Sequence, residues 1–126
     1  MRVLYVDDDR INALLFVEAC RFAGGVEVKT AISGADALDV AERFAPDMLV
    51  IDLHLPDTDG YALLPALRAQ LGAPTLPAFL CTADEPTLVA EPARLAGFDG
   101  CWTKPVDLNS ILAELARRSG RSKPAE

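Results

Sequence analysis

Three short runs in this chain are apolar at every position: Val3-Leu4-Tyr5-Val6, Met48-Leu49-Val50-Ile51 and Ala78-Phe79-Leu80-Cys81. A strand with one face in water alternates apolar and polar residues. An unbroken apolar run belongs to a strand covered on both faces, the habit of parallel sheets. Two further runs complete the series, so strands are predicted over 2–6, 26–30, 47–51, 77–81 and 99–103. Val26-Glu27-Val28-Lys29-Thr30 alternates and is predicted to lie at a sheet edge. The segments between have helical spacing. The predicted core-facing positions are Ile11, Leu14, Leu15 and Phe22, then Leu38, Ala41 and Ala45, then Leu64, Leu67 and Leu71, and last Leu108, Ile111, Leu112 and Leu115. Gly24-Gly25 stops the first helix and Pro46 follows the second. Strict β–α alternation with short connections predicts an α/β fold, a doubly wound parallel sheet of five strands with five helices. Two prolines strain this pattern. Pro65 and Pro92 fall inside helical segments, where each removes a backbone donor and crowds the preceding turn, at roughly 3 kcal/mol. A kinked, shortened or late-starting fourth helix is expected.

Composition bounds what such a domain can do. The 126 residues make one domain, predicted over 1–118, with a polar and frayed tail over 119–126. Hydrophobic residues form 51% of the chain, enough for a packed core. The net charge of −7 argues against binding to nucleic acid or anionic membrane. No apolar stretch approaches the ~20 residues that span a bilayer. The first strand opens directly after Met1-Arg2, with no secretory leader before it. Three cysteines without ligand spacing fit a reducing cytoplasm better than a disulfide framework or a zinc site.

The chemistry lies where the predicted strands end. Open α/β sheets hold their ligands outside the carboxyl ends of the strands. Asp7-Asp8-Asp9 ends the first run, Asp52 the third and Thr82 the fourth, while Lys104 follows the fifth. Asp9 suits a helix N-cap. Asp7, Asp8 and Asp52 gathered at one point repel one another unless a cation is present, and Mg²⁺ prefers such oxygen ligands. A carboxylate oxygen can attack a phosphoryl group in line, and such a reaction needs mainly positioning and charge compensation. Lys104 can supply part of that charge. The constellation describes a magnesium-dependent phosphoryl-accepting site, although an acidic cap, a strand-edge threonine and a surface lysine are each commonplace alone.

Over residues 2 to about 118 the chain resembles the receiver domain of two-component response regulators. The resemblance rests on Val6-Asp7-Asp8, on Asp52-Leu53-His54-Leu55-Pro56 with Asp59-Gly60, on Thr82-Ala83 and on Thr103-Lys104-Pro105. The intervals match as well: 45 residues from Asp7 to Asp52, 30 from Asp52 to Thr82 and 22 from Thr82 to Lys104. It implies a flavodoxin-like (βα)5 receiver fold with strand order 2-1-3-4-5. It implies that Asp52 is the phosphoacceptor, and that Asp8 and Asp52 hold Mg²⁺ with Asp7 acting through water and with the His54 backbone carbonyl. By the same resemblance Thr82 and Lys104 bind the phosphoryl oxygens, Ala83 leaves room for them, and the Lys104–Pro105 bond is cis. The implied donor is the phosphohistidine of a sensor histidine kinase or a histidine phosphotransfer protein. The implied output is a downstream protein partner, with a homodimer as one arrangement the family uses. Such a domain signals from the cytoplasm and does not turn over substrate as an enzyme does. Asn12 and the Trp102-Thr103-Lys104-Pro105 run look like receivers attached to hybrid sensor kinases.

One position departs from the family. Cys101 stands where receivers usually carry an aromatic ring that swings inward upon phosphorylation, and strand alternation places the neighbouring Trp102 on the opposite face. Phosphorylation is therefore expected to couple to the output face weakly or by another route. His54 and Asp84 occupy positions that tune loss of the phosphoryl group in the family. Two other functions share part of this pattern. A phosphorylation-independent scaffold with this fold would keep its partner in Asp52→Asn. A haloacid dehalogenase-type phosphohydrolase needs an acid two residues after its nucleophile, where this chain has His54, and a cap domain that this length cannot hold.

Overall fold

The computed structural model describes residues 1–104 and 107–119. The predicted cis bond at Pro105 and the predicted frayed tail beyond Ser119 lie outside those residues. Five strands, β1 (Arg2–Val6), β2 (Glu27–Ala31), β3 (Met48–Asp52), β4 (Ala78–Thr82) and β5 (Gly100–Thr103), alternate with five helices. The helices are α1 (Arg10–Ala23), α2 (Gly34–Phe44), α3 (Gly60–Leu71), α4 (Pro86–Ala96) and α5 (Leu108–Ser119). All strand pairs are parallel, in the order β2-β1-β3-β4-β5. The alternating segment does form an edge strand.

Side-chain alternation divides the core into two layers. Leu4, Val6, Leu49, Ile51, Ala78 and Leu80 meet α2, α3 and α4 through Ala37, Ala41, Leu64, Leu67 and Ala93. Val3, Tyr5, Met48, Val50, Phe79 and Cys81 meet α1 and α5 through Phe16, Cys20, Ile111 and Leu115. Asp7 and Asp52 lie one step beyond Tyr5 and Val50 in this alternation, so both start from the α1/α5 side of the sheet.

Several sequence expectations need correction. The strands after β1 each begin one residue later than predicted, and Asp52 and Thr82 are the last residues of their strands. The ladder carries on that far because Asp52 is paired with Cys81, and the Leu53 N–H donates to the Cys81 carbonyl at 3.1 Å. The predicted inner face of α1 is its outer face. Ile11, Leu14, Leu15 and Phe22 are exposed by 70%, 60%, 61% and 85%, while Phe16, Ala19 and Cys20 are buried. The buried stripe is anchored by Phe16, whose ring stacks on Tyr5 at 4.6 Å between centroids. In α2 the inner face is Ala37, Ala41 and Phe44; Ala45 is exposed and ends the helix at φ 52°. Helix α4 is neither shortened nor late-starting. It runs unbroken from Pro86 through Pro92. Both interior prolines, Pro65 and Pro92, face solvent, so the carbonyls deprived of a partner can turn to water.

Gly60 opens α3 at a point of close approach. A Cβ there would lie 2.8 Å from Leu80 Cδ1 and 3.0 Å from the Asp52 carbonyl oxygen. Gly60→Ala is therefore expected to lower the unfolding free energy by about 1–3 kcal/mol, read from the urea midpoint.

Candidate functional site

The carboxyl ends of β1, β3 and β5 bring the predicted acids and lysine together. Asp7, Asp8 and Asp52 each offer a carboxylate oxygen within 4.8 Å of the others; Asp7 and Asp52 are buried and Asp8 is exposed. Lys104 Nζ donates to Asp7 Oδ2 at 2.9 Å and lies 3.2 Å from Asp52 Oδ1. The backbone places it there, because the Lys104 N–H donates to the Thr82 carbonyl at 2.7 Å and continues the β4–β5 ladder.

The charges are uneven in their compensation. Burial, then the charge of Asp7, pushes the Asp52 carboxyl up to about 6, and Lys104 only partly opposes them. Burial by itself would lower the Lys104 pKa, but the hydrogen bond to Asp7 and the charge of Asp52 outweigh it and the net direction is upward. Two buried acids and an exposed third share one half-buried cation, which leaves net negative charge at the pocket. A hard divalent cation fits that donor set. The β3–α3 loop fits it too. His54 and Asp59 form an antiparallel bridge whose hydrogen bonds run from the Gly60 N–H to the Leu53 carbonyl and from the Leu55 N–H to the Thr58 carbonyl. Neither bond uses the His54 carbonyl, the one the family resemblance assigns to metal.

The remaining predicted residues lie around this pocket. Thr82 is fully buried, and its hydroxyl accepts from the Asp84 N–H at 3.1 Å. Ala83 is exposed beside it. The His54 ring Nε2 and Asp84 Oδ2 are 2.8 Å apart, bridging the loops that follow β3 and β4. Cys101 packs with the α2/α3/α4 layer, and Trp102 packs on the other layer, stacked on Phe79 at 4.9 Å. Asp9 caps α1 by accepting from the Ile11 and Asn12 N–H groups.

Two participants went unread in the sequence. Tyr5 looked like one more apolar strand residue, yet its hydroxyl donates to Asp7 Oδ2 at 2.9 Å. Its place two residues before Asp7 on the same strand face was the available signal. Asp57 lies in the loop after Pro56 and carries no role in the sequence pattern. Its carboxylate accepts from the Gly34 and Ala35 N–H groups at 2.8 and 2.9 Å, tying the β3–α3 loop to the start of α2. These bonds hold its carboxyl below the usual carboxylate range. No local pattern announces a cap supplied from 23 residues away.

A doubly wound parallel sheet with buried acids and a lysine at its carboxyl edge defines the class of α/β domains that bind ligands at strand ends. Comparison narrows the class. A family model for the response regulator receiver domain matches residues 3–116. The chain is 39% identical over 118 residues to the sensor histidine kinase RcsC of Salmonella typhi, covering 92% of this chain and 12% of RcsC. It is 36% identical over 121 residues to the probable transcriptional regulatory protein TcrX of Mycobacterium tuberculosis, covering 94% of this chain and 50% of TcrX. A crystal structure of a putative response regulator from Chloroflexus aurantiacus superposes with a TM-score of 0.84 at 31% identity, covering 92% of this chain and 94% of that one. The chain belongs to the response regulator receiver domain family of two-component signalling. It spans about one eighth of RcsC and half of TcrX. No helix among the described residues is long and apolar enough to cross a membrane.

Proposed function

We propose that this domain takes a phosphoryl group from a phosphohistidine onto Asp52, with Mg²⁺ bound, and passes the signal on through protein contacts. The observation that carries this reading is the buried Asp52 carboxylate, held between Lys104 at 3.2 Å and the two acids within 4.8 Å. An Asp52 oxygen forms the new bond to phosphorus while the bond from phosphorus to the donor imidazole nitrogen breaks, and the electron pair leaves with the imidazole. Asp8, Asp52 and the His54 carbonyl would hold Mg²⁺, with Asp7 reaching it through water, since both Asp7 oxygens already have protein donors. The bound ion compensates charge on the phosphoryl oxygens. Lys104 does the same from the protein side, and Thr82 would release the Asp84 N–H to bind a phosphoryl oxygen. Ala83 would leave space for that oxygen, with His54 and Asp84 tuning its loss. By sequence position Cys101 stands at the family's switch residue, with Trp102 and Pro105 as the neighbouring candidates for tuning the switch. The domain acts as a cytoplasmic signalling partner rather than a turnover enzyme.

The donor is a sensor histidine kinase or a histidine phosphotransfer protein, a reading supported by the likeness to RcsC. Helix α1 starts right after the acidic pair and bares Ile11, Leu14, Leu15 and Phe22. That stripe suits a helical donor that must bring its imidazole to Asp52. Leu15→Glu is expected to leave folding and acetyl-phosphate labelling unchanged. It should slow transfer at least tenfold from a phosphorylated histidine phosphotransfer domain that labels the wild type, as gel autoradiography would report.

Intact mass after treatment with acetyl phosphate tests the main reading. One added phosphoryl group that requires both Mg²⁺ and Asp52 supports it. No labelling, together with no binding of beryllofluoride, would give the lead to a phosphorylation-independent scaffold.

A further inference from the structure

We infer that Tyr5 is a positioning residue of the metal site, its buried hydroxyl fixing the Asp7 carboxylate from which Asp7 would reach Mg²⁺ through water. This inference rests on the proposed function of the site. Tyr5 is 1% exposed and its ring is clamped against Phe16 in a stack 4.6 Å between centroids, so the hydroxyl cannot wander. A hydroxyl that deep needs partners, and it has two: Asp7 Oδ2 at 2.9 Å and Cys81 Sγ at 3.8 Å. The carboxylate oxygen accepts, so Tyr5 donates to Asp7, and the thiol is left to donate to Tyr5. Burial pushes the pKa of both the phenol and the Cys81 thiol upward, which keeps their protons in place for these bonds.

Asp7 is consequently held at both ends. Tyr5 and Lys104 share Oδ2, and the Asp9 N–H donates to Oδ1 at 2.9 Å. From the same position the Lys104 ammonium also reaches Asp52 Oδ1 at 3.2 Å. Partners behind a metal-binding group orient it, and their loss commonly weakens metal binding 10–100-fold. Without the phenol proton, Asp7 turns more freely and draws Lys104 toward itself.

Tyr5→Phe removes the hydroxyl and keeps the stacked ring. The expected result is at least tenfold weaker Mn²⁺ binding, measured by the electron paramagnetic resonance signal of free Mn²⁺, and the same loss for Mg²⁺ in competition. The Mg²⁺ concentration for half-maximal acetyl-phosphate labelling should rise by the same factor, while the rate at saturating Mg²⁺ stays within twofold of wild type. Cys81→Ala breaks the other contact of the hydroxyl and should leave metal affinity within twofold. Wild-type Mn²⁺ affinity in Tyr5→Phe overturns the inference, as does an equal loss in Cys81→Ala, which would reduce the effect to core packing. A wild-type chain that binds no Mn²⁺ overturns the reading of the site and this inference with it.

Discussion

Lys104→Met is expected to destabilise the metal-free chain by about 3–5 kcal/mol at pH 8, the loss typical of removing one partner from a buried ionic cluster. The lysine side chain is 15% exposed, and the carboxylates it joins, on Asp7 and Asp52, are 0% and 7% exposed. Methionine fills much of the same space but leaves two buried like charges facing each other. The effect is specific enough to apportion. In an Asp52→Asn background the same substitution should cost markedly less, because only Asp7 then loses its counter-ion, and a double-mutant cycle from urea midpoints measures the difference. Saturating Mg²⁺ should recover part of the loss by supplying the missing positive charge. Equal losses with and without Asp52 would show that the lysine acts through its packing alone.

The second large effect is a pH dependence with an unusual sign. Most paired carboxylates favour the fold at neutral pH. Asp52 does the reverse, because burial and then Asp7 raise it from its ordinary 3.8 to about 6. The folded chain therefore holds a proton at Asp52 that the unfolded chain has released. Its contribution to stability is fully present below about pH 4 and is lost as pH rises to about 6. At about 1.4 kcal/mol per pH unit, two units correspond to roughly 3 kcal/mol. Subtracting the Asp52→Asn curve from the wild-type curve, both without metal, isolates this component. Mg²⁺ competes with the proton. Its stabilisation should be largest above pH 6, about 2.7 kcal/mol at a hundredfold excess over Kd, and fade as pH falls toward 5. A difference curve that is flat between pH 4 and 6 and falls only below pH 4 would show that Lys104 outweighs burial at this site.

Much of this arrangement was readable from local rules. Unbroken apolar runs marked β1, β3 and β4 because strands covered on both faces tolerate no polar residue, and the polar residues that end them therefore mark the sheet's edge. The inner face of α1 was not readable. The helix carries two stripes, and the one with the larger residues, Leu14, Leu15 and Phe22, is the one left outside. Hydrophobicity favours that stripe, whereas the Phe16 ring stacked on Tyr5 seats the other one against the sheet. Interior Pro92 does not break α4, because the carbonyl it deprives of a partner belongs to exposed Leu88, where water can reach it. The Asp57 cap and the contact of His54 with Asp84 depend on which loops meet at the sheet's edge, which residue spacing along one segment does not encode.

Lys104 follows the outermost strand, yet it holds charges that belong to β1 and β3. Strand β5 has only one neighbour in the sheet and its residues are half-buried or exposed, so it can separate from β4 while the central strands stay paired. Every such opening withdraws the ammonium from the pocket. The exchange of the Lys104 amide hydrogen, which is bonded to the Thr82 carbonyl, thus becomes a remote gauge of the charge on Asp52. A negative carboxylate keeps the edge of the sheet closed, and a neutral one lets it breathe.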